Sequence, residues 1–334
     1  MTAGSHSLVS MAWNDEYLND RVGATATSES PPTDAMEAEA KGMNFPDELS
    51  HLVRTDEPLG PLVWLGIGGP ARFFAEPLDW DQFAQLYSFA VAEGMAVRVL
   101  GSGSNILVRE AGFDGLVLSM AAAPTSELKI DGKCLVAGAG AKLSNAVIKS
   151  VGAGLAGLEH LIGIPGTVGG GVIGNASAGG RDLGSAVAEI SVLDSTGTRR
   201  SISQEDAGFG HRKTSLVGQI VCEVTFQLEP SDITALNKRM QKLWISRNSQ
   251  RPSQHSRIAM PFVDPDGISA DELIQNVGLA GIREGDVSLD SRQPNYLIAH
   301  EGATSEQCVR LIDRIREQVH LQTGVDLQLN LQIW

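Results

Sequence analysis

Regular hydrophobic periodicity begins at about residue 61. PLVWLGIGGPARFFAEP opens on an apolar, strand-like run that Gly68, Gly69 and Pro70 interrupt. DWDQFAQLYSFAVAEG then spaces its apolar residues at helical intervals and ends on Gly94, a suitable helix stop. AVRVLGSGSN reads as a short buried strand running into a glycine-rich turn, so 61–107 predicts strand–helix–strand. From 115 to 229 the segments are short and turn-punctuated: GLVLSM, SELKIDGKCLVAGAG, EISVLDSTGTRRSIS and QIVCEVTFQLEP predict strands, and KLSNAVIKSVGAG one helix. Residues 230–322 turn helical, with DITALNKRMQKLWISRNSQ, SADELIQNVGLAG and SEQCVRLIDRIREQVHLQTG, before VDLQLNLQIW alternates as a strand. No fixed-period repeat is present. Strands and helices come in runs without a regular βαβ beat, which indicates an α+β fold.

Composition changes this picture only at the start of the chain. Residues 1–43, with NDRVGATATSESPPTDAMEAEAKG, are polar and acidic and predict a disordered leader. They lack the charged start and apolar core of a secretory signal. A length of 334 residues suggests two or three domains. The net charge of −14 argues against nucleic acid or an anionic membrane as partner. No apolar run approaches the roughly 18 residues of a membrane span. Cys134, Cys222 and Cys308 lie far apart without metal-ligand spacing, as suits a reducing cytoplasm. The expectation is a cytoplasmic monomer without a metal.

Two glycine-rich stretches carry the candidate chemistry, GSGSN at 101–105 and GIPGTVGGGVIGNASAGG at 163–180. The second holds eight glycines in eighteen positions. Each glycine inside a regular element costs roughly 0.5–1 kcal/mol against alanine, so such density needs a reason. Successive backbone N–H groups in such turns form concave anion sites that glycine leaves accessible. Neither stretch is a Walker motif or a Rossmann fingerprint. Together they point to a dinucleotide whose pyrophosphate and ring system lie on backbone. Its candidate contacts are Gly101, Ser102, Gly103, Ser104 and Asn105 in one stretch. In the other they are Gly163, Ile164, Pro165, Gly166, Thr167, Val168, Gly169, Gly170 and Asn175.

GGPARFF (68–74), LGSGSNILVREAGFDGLV (100–117) and GLAGLEHLIGIPGTVGGGVIGNASAGG (154–180) resemble, in order and spacing, the UDP-N-acetylenolpyruvoylglucosamine reductase (MurB) family. GHRKTSL (210–216), ADELIQNVGLAGIREGDVSL and ATSEQCVRLIDRIREQV extend the resemblance over about 44–334, in the family's shorter subtype. The resemblance implies FAD in a fold of the vanillyl-alcohol-oxidase (PCMH) type. Its two subdomains would be 44–115 and 116–229, with the terminal strand 324–334 joining the second. An α+β substrate domain would occupy 230–323. The FAD is expected to be non-covalent, because neither glycine loop holds a linking His or Cys. The resemblance further implies reduction of FAD by NADPH and hydride transfer to UDP-N-acetylglucosamine enolpyruvate, making UDP-N-acetylmuramate for peptidoglycan. A homologue that binds FAD without turnover, or one that reduces another substrate, stays open.

The departures from the family motif sit where the chemistry would be. AMPFVDP (259–265) matches the family's Gly-Ser-x-Phe-x-Asn-Pro with Phe262 and Pro265 in register, and Met260 replaces the serine general acid. A thioether has no proton to give. LQLNLQ (327–332) matches the final Leu-Glu-x-Glu-Val strand, with Asn330 at the glutamate position. The carboxylate-gripping arginine remains as Arg212, although His211 replaces the tyrosine before it. RQPNY (292–296) stands where the family reads Lys-His-Ala-Asn-Phe. Loss of a general acid costs about 10²–10⁴ in rate. His255, Ser256, Asp264 or water could supply the proton, although the first two also read as solvated loop residues and Met260 as packing. Restoring Met260→Ser and Asn330→Glu together is expected to speed the reaction by on the order of 10².

Overall fold

The computed structural model describes residues 45–121, 123–216, 218–252 and 255–334, so the leader predicted at 1–43 lies outside them. The first subdomain carries β1 (Val53–Pro58), β2 (Pro70–Ala75), β3 (Val97–Leu100), the short β4 (Ile106–Leu107) and β5 (Phe113–Ser119). Four of these form a sheet in the order β1-β2-β5-β3, with β5 parallel to both β2 and β3 and β1 antiparallel at the edge. The predicted helix forms as α1 (Trp80–Ala92), capped where the Asp79 carboxylate accepts from Gln82 N at 2.8 Å. Phe83, Leu86, Tyr87 and Ala90 are its buried face, and Gly94 follows at φ +68. The apolar run at 63–67 is not a strand. Leu65 and Ile67 join the core of the C-terminal unit while Val63 joins the first subdomain, so the run bridges two cores.

The second subdomain begins with β6 (Leu128–Asp131), β7 (Cys134–Gly138), α2 (Leu143–Gly152) and β8 (Leu155–Ala156). It continues through α3 (Val168–Ile173), β9 (Ser177–Ala178), β10 (Arg181–Asp182), β11 (Val187–Leu193), β12 (Arg199–Ser203), β13 (Ile220–Gln227) and β14 (Glu229–Pro230). Five strands form an antiparallel sheet in the order β12-β11-β13-β7-β6, and α2 and α3 contribute to its core.

The expected domain border at 230 moves. The long helix α4 (Ile233–Gln250) buries only Leu236, which enters the core of the second subdomain with Met240 and Leu243 packed on it. After it come β15 (Ile258–Ala259), α5 (Ala270–Asn276), β16 (Arg283–Glu284), β17 (Val287–Leu289), β18 (Leu297–Ala299) and α6 (Ser305–Thr323). The strands pair antiparallel as β15-β18-β17-β16. α6 opens on a Thr304–Gln307 capping box, lays Cys308, Leu311, Ile312, Ile315 and Val319 into the core, and stops on Gly324 at φ +73.

The chain end corrects a second expectation. β19 (Gln332–Ile333) pairs parallel with β4 of the first subdomain, not with the sheet of the second. Trp334 closes the same cluster as Leu59, Val63 and Phe74. Apolar alternation says that one face is buried; it does not say which sheet edge is open to receive the strand. Among the described residues no helix is long and apolar enough to cross a membrane.

Candidate active site

A cavity of about 360 Å³ forms where the three units meet. Arg212, Met260 and Asn330, far apart in sequence, all line it. Ser104 and Asn105 border it from the first glycine stretch, and Gly163, Ile164 and Pro165 from the second. A second cavity of about 280 Å³ contains Asn175, Ser177, His211, Arg212 and Asp264. Arg212 and Asp264 line both spaces.

The turn at 101–105 is built to be held from behind and open in front. Gly103 takes φ +67, and a Cβ there would lie 2.4 Å from Leu62 O, so only glycine fits. Its carbonyl accepts from Trp64 N at 2.9 Å. The Ser102 and Ser104 hydroxyls are buried with no hydrogen-bond partner among the described residues. A buried hydroxyl left unpaired costs about 1–3 kcal/mol. Two of them in one turn therefore fit a polar or anionic group such as a dinucleotide pyrophosphate, and the site suits FAD on this observation. Asn105 ties the turn to the chain end: its side chain donates to Asn330 O, and its carbonyl accepts from Gln332 N at 2.9 Å.

The second glycine stretch is not all loop. Residues 168–173 form α3, capped where Thr167 Oγ1 accepts from Gly170 N. Its leading amides are already spent: Val168 N donates to Ala141 O and Gly169 N to Ala139 O, each at 2.8 Å. Gly166 O accepts from Leu143 N at 2.9 Å. Glycine at 169 serves close approach between segments of this chain, since a Cβ there would lie 2.9 Å from the Ala139 Cβ. Gly169→Ala is expected to destabilise the protein by about 1–3 kcal/mol through overpacking, read as a lower melting temperature of the flavin-free protein. Neither cavity is lined by Gly101, Ser102, Gly103, Gly166, Thr167, Val168, Gly169 or Gly170. Asn175 is also committed internally. Its Nδ2 donates to Gly210 O at 2.8 Å and its Oδ1 accepts from Gly184 N at 2.9 Å.

Through that bond Asn175 steadies the turn that presents Arg212. Gly210 and Lys213 form a bridge across the turn, and Arg212 between them adopts φ +55, a conformation that non-glycine residues seldom take. Its guanidinium makes one long hydrogen bond, to Ser177 O at 3.4 Å. Burial pushes the Arg212 guanidinium below its ordinary value, and nearby Asp264 pulls it back up. Asp264 itself accepts from Ala270 N at 2.9 Å, at the start of α5.

Sequence motifs missed several cavity residues. Arg247 and Arg251 line it beside Arg212, as do Trp64 and Tyr296. Arg247 donates to Ile162 O and to His160 O, the latter at 3.2 Å, and so fastens α4 to the segment that leads into the second glycine stretch. Arg251 lies over the Trp64 ring, 4.7 Å from its centre. The helical pattern of 232–250 marked Arg247 only as a polar position, so no local signal was available. His255 and Ser256 do not line the cavity; the His255 ring packs edge-on against His300 at 5.6 Å. Asp264 is the sole charged substitute named from the sequence that reaches it.

Beside the glycine stretch, Glu159 is buried among three donors: Gly157 N at 2.8 Å, Arg239 Nη1 at 2.8 Å and Arg181 Nη1 at 3.3 Å. Burial alone would raise its carboxyl, but these donors outweigh it and hold the group at about 2. Burial, with Arg181 adding to it, holds neighbouring His160 at about 4. Both groups bind fewer protons folded than unfolded, so stability falls with pH, first between about 6.5 and 4 through His160 and then from about 4.5 downward through Glu159. His160→Gln is expected to flatten only the upper part of that limb in melting temperature recorded against pH.

Fold and site together define a flavoprotein oxidoreductase, with an FAD-binding domain of the PCMH type followed by a separate α+β C-terminal domain. A family model described as FAD binding domain matches residues 71–203. A second, described as the C-terminal domain of UDP-N-acetylenolpyruvoylglucosamine reductase, matches residues 251–334. The chain is 63% identical over 290 residues to UDP-N-acetylenolpyruvoylglucosamine reductase of Rhodopirellula baltica, spanning 87% of this chain and 95% of that one. It is 34% identical over 284 residues to the enzyme of that name from Moorella thermoacetica, spanning 84% and 93%. The crystal structure of UDP-N-acetylenolpyruvylglucosamine reductase from Thermus caldophilus superposes with a TM-score of 0.72 at 29% identity, covering 84% of this chain and 98% of that chain. The chain belongs to the UDP-N-acetylenolpyruvoylglucosamine reductase family.

Proposed function

We propose that the protein reduces UDP-N-acetylglucosamine enolpyruvate to UDP-N-acetylmuramate with NADPH, through bound FAD, as a cytoplasmic monomer in peptidoglycan precursor synthesis. The observation that carries this reading is that Arg212 and positions 260 and 330, the family's three substrate-facing positions, share one cavity with both glycine stretches. That convergence favours a reductase over a binding protein that has lost turnover, even though two of the three side chains differ.

FAD would rest on the turn at 101–105, with the Ser104 hydroxyl on its phosphates, and against the backbone of 163–165. When bound it supplies hydride transfer. Arg212 receives the substrate carboxylate in a desolvated setting where a charge-assisted bond is strong, and the Asn175-braced turn holds it there. Asn330 Nδ2 donates to Met260 O at 3.0 Å and to Asn105 Oδ1 at 3.4 Å, fixing the cavity wall between the first subdomain and β15.

The test is purification, reconstitution with FAD, and assay with NADPH and the enolpyruvyl nucleotide. The expected result is a yellow protein whose FAD is released on denaturation, with NADPH loss matched by muramate formation. Protein that takes up no FAD, or that holds FAD but leaves the nucleotide unreduced, overturns the reading.

A further inference from the structure

The residue at the family's proton-donor position cannot donate, yet a tyrosine lines the same cavity. β15 and β18 pair antiparallel with Ile258 opposite Ile298 and Ala259 opposite Leu297. The ladder ends there; Met260 directly follows β15, Tyr296 directly precedes β18, and both line the cavity that holds Arg212 and Asn330.

The register is locked beyond the ladder. Asn295, wholly buried, accepts from Phe262 N at 3.1 Å and donates to Phe262 O at 3.0 Å. Its own amide donates to Asp271 Oδ1 at 2.7 Å. These bonds hold the segments that carry Met260 and Tyr296 together beyond the ladder. Along the motif, the hydroxyl lost at position 260 reappears at 296, where the family segment reads phenylalanine.

We propose that Tyr296 is the general acid of this protein and protonates the substrate carbon that carries the carboxylate. The inference rests on the reductase reading above. Hydride addition to the methylene end of the enol ether moves the double-bond electron pair onto the carboxylate-bearing carbon. There the Tyr296 O–H bond breaks and a C–H bond forms. The phenolate left behind lies in the field of Arg251 and Arg247, against the opposing charge of Asp271, and takes its proton back from water. Burial raises the Tyr296 phenol above its ordinary value, so it carries its proton throughout the neutral range. A phenol is also a stronger acid than the serine it replaces.

The experiment follows two half-reactions in the FAD-loaded protein, with Tyr296→Phe against the unmodified chain. Reduction by NADPH should be unchanged. Reoxidation by the enolpyruvyl nucleotide should slow by about 10²–10⁴. Binding of UDP-N-acetylmuramate, measured by calorimetry, should stay within about threefold, because the ring remains in place. Adding Met260→Ser to Tyr296→Phe should restore reoxidation at least about tenfold. Reoxidation of Tyr296→Phe at the unmodified rate overturns the proposal. So does a slow Tyr296→Phe that binds the product poorly and is not rescued by the serine, which would mark Tyr296 as a packing residue. Failure of the unmodified protein to reduce the nucleotide appears before any variant is made, and overturns the reductase reading itself.

Discussion

Replacement of Arg212 by methionine is expected to lower kcat/KM for the enolpyruvyl nucleotide by about 10²–10³, with reduction by NADPH unaffected. A carboxylate that leaves water for the cavity needs a charge to meet it. The Arg212 guanidinium has already been desolvated and, among the described residues, makes only one long bond to protein, to Ser177 O at 3.4 Å. Truncating one partner of a buried charge pair costs roughly 2–5 kcal/mol, which sets the expected range. The carboxylate is present in substrate and transition state alike, so most of the loss should appear in KM. Methionine at φ +55 is no less strained than arginine, so the backbone term cancels in the comparison. Arg212→Lys should recover only part, because an ammonium cannot reproduce the planar two-pronged grip. A steady-state KM within error of the unmodified protein would remove Arg212 from the substrate site.

Asn330→Glu, which restores the family residue, is expected to harm this protein. The Asn330 amide donates to two oxygens, Met260 O at 3.0 Å and Asn105 Oδ1 at 3.4 Å. A carboxylate would set its own oxygens against both and leave all of them without a donor. The expected cost is about 1–3 kcal/mol in stability, seen as a lower melting temperature. FAD affinity should fall with it, because Asn105 also braces the turn at 101–105 through its bond to Asn330 O. The Asn330 hydrogen bonds thus lead to the opposite expectation from the sequence motif, by which serine and glutamate together would speed the reaction. Here the amide has become part of the wall, and proton delivery is assigned across the strand pair at Tyr296. An Asn330→Glu protein that melts like the unmodified one, keeps its FAD and turns over faster would refute the argument.

Local pattern alone determined several elements of this protein. The helical period and its stop signals placed α1 and α6 closely, because a side chain's neighbours at i+3 and i+4 and its cap are near in sequence. The glycine stretches and the arginine motif pointed to a dinucleotide and a carboxylate, because backbone access and a lone guanidinium leave a mark in residue type. What the pattern could not supply was long-range pairing. Eight glycines between 163 and 180 read as loop, yet α3 forms there because Ala139 and Ala141 accept its first amides and the glycines allow that approach. The end of the chain alternates like any strand, and only the open edge at β4 decided where it pairs. α4 has a helical sequence, but its place on the second subdomain rests on Leu236 meeting that core. That Met260 and Tyr296 come to line one cavity depends on a register between strands nearly forty residues apart. A register is set by which edges and faces remain unpaired once the rest has folded, and that information belongs to no single segment.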